Sequence, residues 1–292
     1  MFTALYNYVV EKLGIRTNRY FSEKWIRHHF SSERAKEFMG VSNKDLSVFI
    51  FVDPPSHAKS YMGLTALVYA QGADIEDEDD SWDSVGGGIY LVGVADISIE
   101  SANMMALENV VYRFTNKVID QLVTRKRPAK ALRIVPIVEC NNNEFQSVSL
   151  STKILQTATL RNCRKGMPFN QDFFKKNISS DFVGVFTDKV NKMGGIQTLN
   201  QYMSEKRIYV WKNCVTMGNV HLTRSEVPSL DHALETLVTG LIQYKETEHG
   251  ASGKTQSNTD DSATSLILNC YWSYCINVSG IYADMQPSPL LP

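Results

Sequence analysis

The stretch Ser47-Val48-Phe49-Ile50-Phe51-Val52-Asp53-Pro54 constrains the fold of this chain more than any other. Val48 to Val52 is β-branched or aromatic throughout, the composition of a strand buried on both faces. Asp53 then falls at the carboxyl end of that strand, and Pro54 cannot extend the ladder. Open α/β sheets bind ligands at that rim, so an aspartate there is a candidate functional group. A turn-capping aspartate is the alternative reading of Asp53 taken alone. Two further acidic sites in comparable settings shift the balance.

After a polar loop containing Lys59, Leu64 to Ala70 reads as a second strand and Gly88 to Ile97 as a third. The connection between them carries six acids among the seven residues from Asp74 to Asp80. It lacks the ligand pattern and glycine of a calcium loop and reads as a solvated hairpin tip. Strands joined in this way form an antiparallel meander. A long helix from Ser101 to Thr124 follows and runs into Arg125-Lys126-Arg127. Those cations either complement the helix dipole or contact phosphate, and both readings stay open.

A fourth strand, Arg133 to Val138, leads directly into Glu139. Because it comes after a crossover helix it should run parallel to the first strand, which would bring Glu139 beside Asp53. Asn141-Asn142-Asn143 is expected to cap a helix from Glu144 to about Leu155. Residues 156–181, with Arg161, Arg164 and Lys165, read as loop. Then come a strand over 181–187, a helix over 193–204, a strand over 207–211 and a helix over 228–245. Asp260-Asp261 open a last helix, and the tail after Ser279, with three prolines, is expected to hang loose. Residues 1–45 read as a helical segment or linker, built on Tyr8, Val9, Leu13, Phe21, Trp25, Ile26 and Phe30.

The expected fold class is therefore α/β: a ribonuclease H-like mixed sheet, with a meander of three strands continued by parallel strands and flanked by helices. That arrangement gathers Asp53, Glu139 and the Asp260-Asp261 pair around one point. Clustered carboxylates repel unless cations lie between them. With no thiolate or imidazole in the set, magnesium or manganese is the expected metal, and two ions could drive phosphodiester hydrolysis. The net charge of −1 means that DNA affinity must come from local basic clusters. The five cysteines are dispersed, which suits an intracellular, reducing compartment. Residues 1–30 lack the apolar core of a signal peptide, and no run of about 18 apolar residues forms a membrane helix.

Phe51-Val52-Asp53-Pro54, Val138-Glu139-Cys140-Asn141 and Ser252-Gly253-Lys254 through Asp260-Asp261 together resemble the nuclease domain of the herpesvirus terminase large subunit. The resemblance spans residues 45–278. It implies a metal-dependent endonuclease that cuts concatemeric viral DNA during capsid packaging, in the host nucleus. Asp53, Glu139, Asp260 and Asp261 would be its catalytic metal ligands, holding two Mg2+ or Mn2+ ions; Lys254 matches the motif lysine. Implied partners are double-stranded DNA, the packaging ATPase domain, other terminase subunits and the capsid portal. The chain carries no GxxxxGK[ST] phosphate loop, so the likeness is to the nuclease portion alone. The expected division is a segment 1–45, a nuclease domain 46–279 and a tail 280–292. Lys59, Arg125, Lys126, Arg127, Arg161, Arg164, Lys165 and Lys254 are the candidate DNA contacts. A junction resolvase or transposase-type enzyme of the same fold, or a non-catalytic assembly module, are the competing readings.

Overall fold

The computed structural model describes residues 20–36, 46–55, 61–70, 88–98, 103–124, 127–141, 143–168, 184–218, 228–247, 250–252, 260–278 and 282–283. The apolar run seen first in the sequence is β1, Leu46–Asp53. It pairs antiparallel with β2, Tyr61–Ala70, which pairs antiparallel with β3, Gly88–Ser98. The helix α2, Met104–Leu122, crosses over to β4, Leu132–Glu139, which runs parallel to β1. The meander and the parallel return are thus both present. A short helix α1, Glu23–His29, precedes the sheet.

The second half of the chain extends both edges. Helix α3, Glu144–Leu160, is followed by the two-residue strands β5, Arg164–Lys165, and β6, Met167–Pro168. Then come β7, Gly184–Val185; α4, Lys189–Ser204; β8, Ile208–Met217; and α5, Leu230–Gln243. A hairpin of β9, Lys245–Thr247, and β10, Gly250–Ser252, leads to α6, Asp261–Val278, and β11, Tyr282–Ala283. The main sheet has the order β5-β4-β1-β2-β3-β8, with β7 also on β4. Pro136 falls between the stretches of β4 paired by β5 and by β7, where the outer edge of β4 needs no N–H donor.

Several elements differ from the sequence expectation. Helix α3 runs to Leu160 rather than Leu155, because Ile154, Leu155 and Ala158 are buried and continue the apolar face. Helix α4 starts at Lys189, where Asp188 accepts the Asn191 N–H at 2.7 Å as an N-cap. Strand β8 extends to Met217, carried past Trp211 by pairing with β3. Tyr282 and Ala283 pair antiparallel with β6, so this part of the tail does not hang loose. Phe21, Ile26 and Phe30 pack into the same core as α4, α5 and α6. The acidic stretch 74–80 and Tyr8, Val9 and Leu13 lie outside the described residues.

Helices cover both faces of the sheet. Val48, Ile50 and Val52 pack with Val110, Phe114 and Val118 of α2 and Ile154 of α3. Phe49 and Phe51 point the other way, toward Ile196 of α4, Leu237 of α5 and Ile267 of α6. Each fully buried side chain of this kind contributes about 1.5–3 kcal/mol relative to exposure.

Helix α6 is enclosed by the sheet, α4 and α5, and it seats on β2 through a polar seam. Asp261, Ser265, Asn269 and Ser273 are spaced four apart on the helix, about 6 Å per step. Their counterparts Gly63, Thr65 and Tyr69 lie on one face of β2, where two residues span about 6.6 Å. The near match lets helix and strand run side by side in register. Ser265 Oγ meets Thr65 Oγ1 at 3.0 Å, and Ser273 Oγ meets Tyr69 OH at 3.0 Å. Asn269 Nδ2 donates toward Phe49 O and Thr65 O at 3.2 Å and Thr65 Oγ1 at 3.1 Å. Leaving one such buried group unpartnered costs about 1–3 kcal/mol, so sliding α6 along the strand is strongly disfavoured.

Candidate metal centre

The pairing register lines up one row of residues across four strands. Val52 pairs with Val138, so Asp53 and Glu139 are the next neighbours at the carboxyl ends of β1 and β4. Asp53 pairs with Gly63 on β2, and Gly63 pairs with Asp96 on β3. Strand alternation puts Asp53 on the Phe49–Phe51 face, Glu139 with Val135 and Ile137, and Asp96 with Val94. All three acids therefore face the side covered by α6.

Helix α6 brings the fourth acid. A Cβ built on Gly63 would lie 2.1 Å from the Asp261 carbonyl oxygen. Only glycine allows that approach, and it seats the start of α6 directly on the row. Asp261 is thereby held beside Asp53.

The electrostatics record the crowding. Asp53 is only partly shielded from solvent, yet protein encloses its carboxyl group. That burial, the Glu139 charge, a hydrogen bond shared with Glu139 and the Asp261 charge raise the Asp53 carboxyl well above the usual carboxylate range. The Lys192 ammonium offsets part of the rise. Tyr244, packed beneath the site, is pushed up by burial, with Asp260, Asp53 and Glu139 adding to it.

The two members of the Asp260-Asp261 pair have different partners. Asp260 is 8% exposed, and its Oδ2 accepts the Ser252 hydroxyl of β10 at 2.8 Å. Asp261 is the member whose charge reaches Asp53. Asn141 has a role that its sequence setting did not reveal. The cap of α3 is Asn143, whose Oδ1 accepts the Gln146 N–H at 3.1 Å. Asn141 instead donates to Thr187 O at 2.6 Å and accepts the Thr187 N–H at 2.7 Å. This bridge ties the start of α4, with Lys189 and Lys192, to the Glu139 end of the sheet.

Among the described residues no group of three or more His, Cys, Asp or Glu side chains stands placed to hold a metal ion. The donor set nonetheless fits a hard divalent cation. Asp53, Glu139 and Asp261 supply only carboxylate oxygens, and the negative charges of Glu139 and Asp261 that raise the Asp53 carboxyl are ones a cation would offset.

Of the basic residues selected from the sequence, the four that are described do not converge on this rim. Arg164 and Lys165 pair with Arg133 and Ile134 at the start of β4, roughly 15–20 Å along the strand from Glu139. Arg161 ends α3, about 25 Å from its first turn, and pairs with Asp120. Arg127 is 6% exposed and donates to the Leu122 carbonyl at 3.4 Å, so it does not present a phosphate-binding surface. Lys59, Arg125, Lys126 and Lys254 lie outside the described residues. Sequence reading missed Asp96 and Lys192. A lone acid inside the apolar run of β3 was a visible signal for the first; nothing marked Lys192 apart from any first-turn lysine.

No family model and no curated protein matches the chain. Among solved structures it is similar to the human cytomegalovirus terminase nuclease domain. The manganese-soaked, inhibitor-bound form is 12% identical, with a TM-score of 0.56 over 90% of this chain and 99% of that one. A second structure of that domain is 12% identical, with a TM-score of 0.51 over 81% and 87%. The manganese-soaked form without inhibitor gives 13% and 0.50 over 82% and 87%. The class defined here is the ribonuclease H-like fold. Within that class the chain has the fold of a terminase nuclease domain, as the three motifs implied.

Proposed function

We propose that this chain is a divalent-metal-dependent endonuclease acting on double-stranded DNA, the cutting domain of a viral genome-packaging machine. The observation that carries this reading is the meeting of Asp53, Glu139 and Asp261, from three distant parts of the chain, at one sheet rim. These three would hold the metal, and Asp260 would shape the site from behind through Ser252. Bound Mg2+ or Mn2+, as two ions, would activate water and stabilise the leaving 3′ oxygen. Lys192 tempers the negative field at Asp53, and with Lys189 it offers a backbone phosphate a cationic approach independent of base sequence. The likeness to a manganese-soaked cytomegalovirus domain supports the choice of ion. By the same likeness the setting would be the host nucleus, with partners in the packaging ATPase domain, other terminase subunits and the portal.

A plasmid-cutting assay tests this reading. Supercoiled and linear duplex should be cut with Mn2+ or Mg2+ and spared with chelator, and four-way junctions should gain no preference. Junction preference would indicate a resolvase, and no metal-dependent cutting of any substrate would indicate an assembly module. In the same assay Asp261→Asn should lower the rate at least about 100-fold, whereas Asp260→Asn, which keeps an acceptor for Ser252, should stay within about tenfold. The reverse order would overturn the assignment within the pair.

A further inference from the structure

The first turn of α6 carries N–H groups with no partner inside the helix. One of them, the Ser262 N–H, points across the sheet to Asp96 Oδ2 at 3.4 Å. Asp96 belongs to β3, more than 160 residues earlier, and stands in register with Gly63, on the opposite side of that glycine from Asp53. The start of α6 thus rests on Gly63 between two aspartates. Asp53 lies on the side of Glu139; Asp96 faces the helix backbone. A carboxylate at a helix amino terminus is favoured by both the N–H bond and the dipole.

We propose that Asp96 is a positioning residue for the metal centre: it caps α6 from a neighbouring strand and so holds Asp261 against Asp53. The proposal rests on the reading of Asp53, Glu139 and Asp261 as the metal-binding set. The polar seam fixes α6 along β2 through Thr65 and Tyr69, but those contacts begin at Ser265, one turn into the helix. At the first turn Asp260 is tied to Ser252 and Thr264 to Tyr244, on the β9–β10 side, and Asp96 adds the anchor on the β3 side. A carboxylate is not essential to that task, because an asparagine side-chain oxygen accepts the same N–H.

The test compares wild type, Asp96→Ala, Asp96→Asn and Asp53→Asn. Mn2+ binding is measured by electron paramagnetic resonance, cleavage by kcat and KM for DNA, and amide exchange at Ser262 and Ala263 in metal-free protein. For Asp96→Ala the expected results are Mn2+ affinity and kcat each lower by about tenfold or more, with KM for DNA unchanged. Amide exchange should quicken in the first turn of α6 but not at Asn269. Asp96→Asn should recover most of the affinity and rate, while Asp53→Asn should not bind or cut. Should Asp96→Ala fail to fold, Asp96→Asn carries the decision. If Asp96→Asn loses as much as Asp53→Asn, Asp96 is a direct ligand and the positioning role is overturned. Asp96→Ala indistinguishable from a metal-binding wild type overturns it as well. A wild type that binds no Mn2+ removes the nuclease reading and this assignment together.

Discussion

Asp53→Asn is expected to lower metal-dependent cleavage by on the order of a thousandfold while making the metal-free protein more stable at neutral pH. Both effects have one cause. The native Asp53 carboxyl holds its proton well above the usual value of 3.8, because of burial and of the negative charge of Glu139 and Asp261. Between that ordinary value and the raised one, the native state binds a proton that the unfolded state has released. Stability contributed by this group therefore falls as pH rises through the window. Asparagine donates permanently where the protonated carboxyl donates conditionally, so the loss disappears. Chemical denaturation in chelator at acid and neutral pH should give a flatter profile for the variant, and added Mn2+ should stabilise wild type alone. A variant with full cleavage, or with the pH profile of wild type, would refute the account. Glu139→Gln should abolish cleavage in the same way.

Gly63→Ala is expected to reduce cleavage at least about 100-fold, at a stability cost of about 1–3 kcal/mol. The added methyl would meet Asp261 O at 2.1 Å and Asp261 C at 2.5 Å, and backbone cannot swing aside as a side-chain tip can. Helix α6 must lift at its first turn, which carries Asp261 away from Asp53. Gly93→Ala is the control. Its methyl meets Phe114 and Val118 of α2, on the opposite face of the sheet. It should cost comparable stability and leave cleavage within about threefold, as urea unfolding and plasmid nicking would report. Equal losses of activity in the two variants would mean that activity follows stability alone, with no special seat at Gly63.

The placement of Asp53 and Glu139 at neighbouring strand ends was legible because the signal was local. A buried strand reads as a run of β-branched and aromatic residues, and an acid at its end marks the rim. Parallel return after a long crossover helix then brings those ends together by handedness alone. The placement of the described basic residues was not legible, for a complementary reason. Arg127, Arg161, Arg164 and Lys165 were chosen by charge and loop-like context, which say nothing of which end of a strand a residue occupies. The pairing of Arg164 with Arg133 sends them to the far end of β4. Lys192 reaches Asp53 from α4, whose start is tied to the Glu139 end of the sheet by the Asn141–Thr187 pairing, 46 residues apart.

What the sequence determined by itself was the sheet, its order through β4, and the presence of three acidic sites at element ends, since periodicity, turn chemistry and crossover handedness are properties of contiguous chain. Tertiary structure alone decided that Asp260 meets Ser252 while the Asp261 charge reaches Asp53, that Asp96 joins the row, and that the Lys192 charge reaches it. Those outcomes depend on the seating of α6 against β2, where a missing Cβ at Gly63 and hydroxyl and amide partners at Thr65 and Tyr69 set the helix to within a fraction of a turn. Contacts between residues some 200 positions apart carry that information, and no local pattern encodes it.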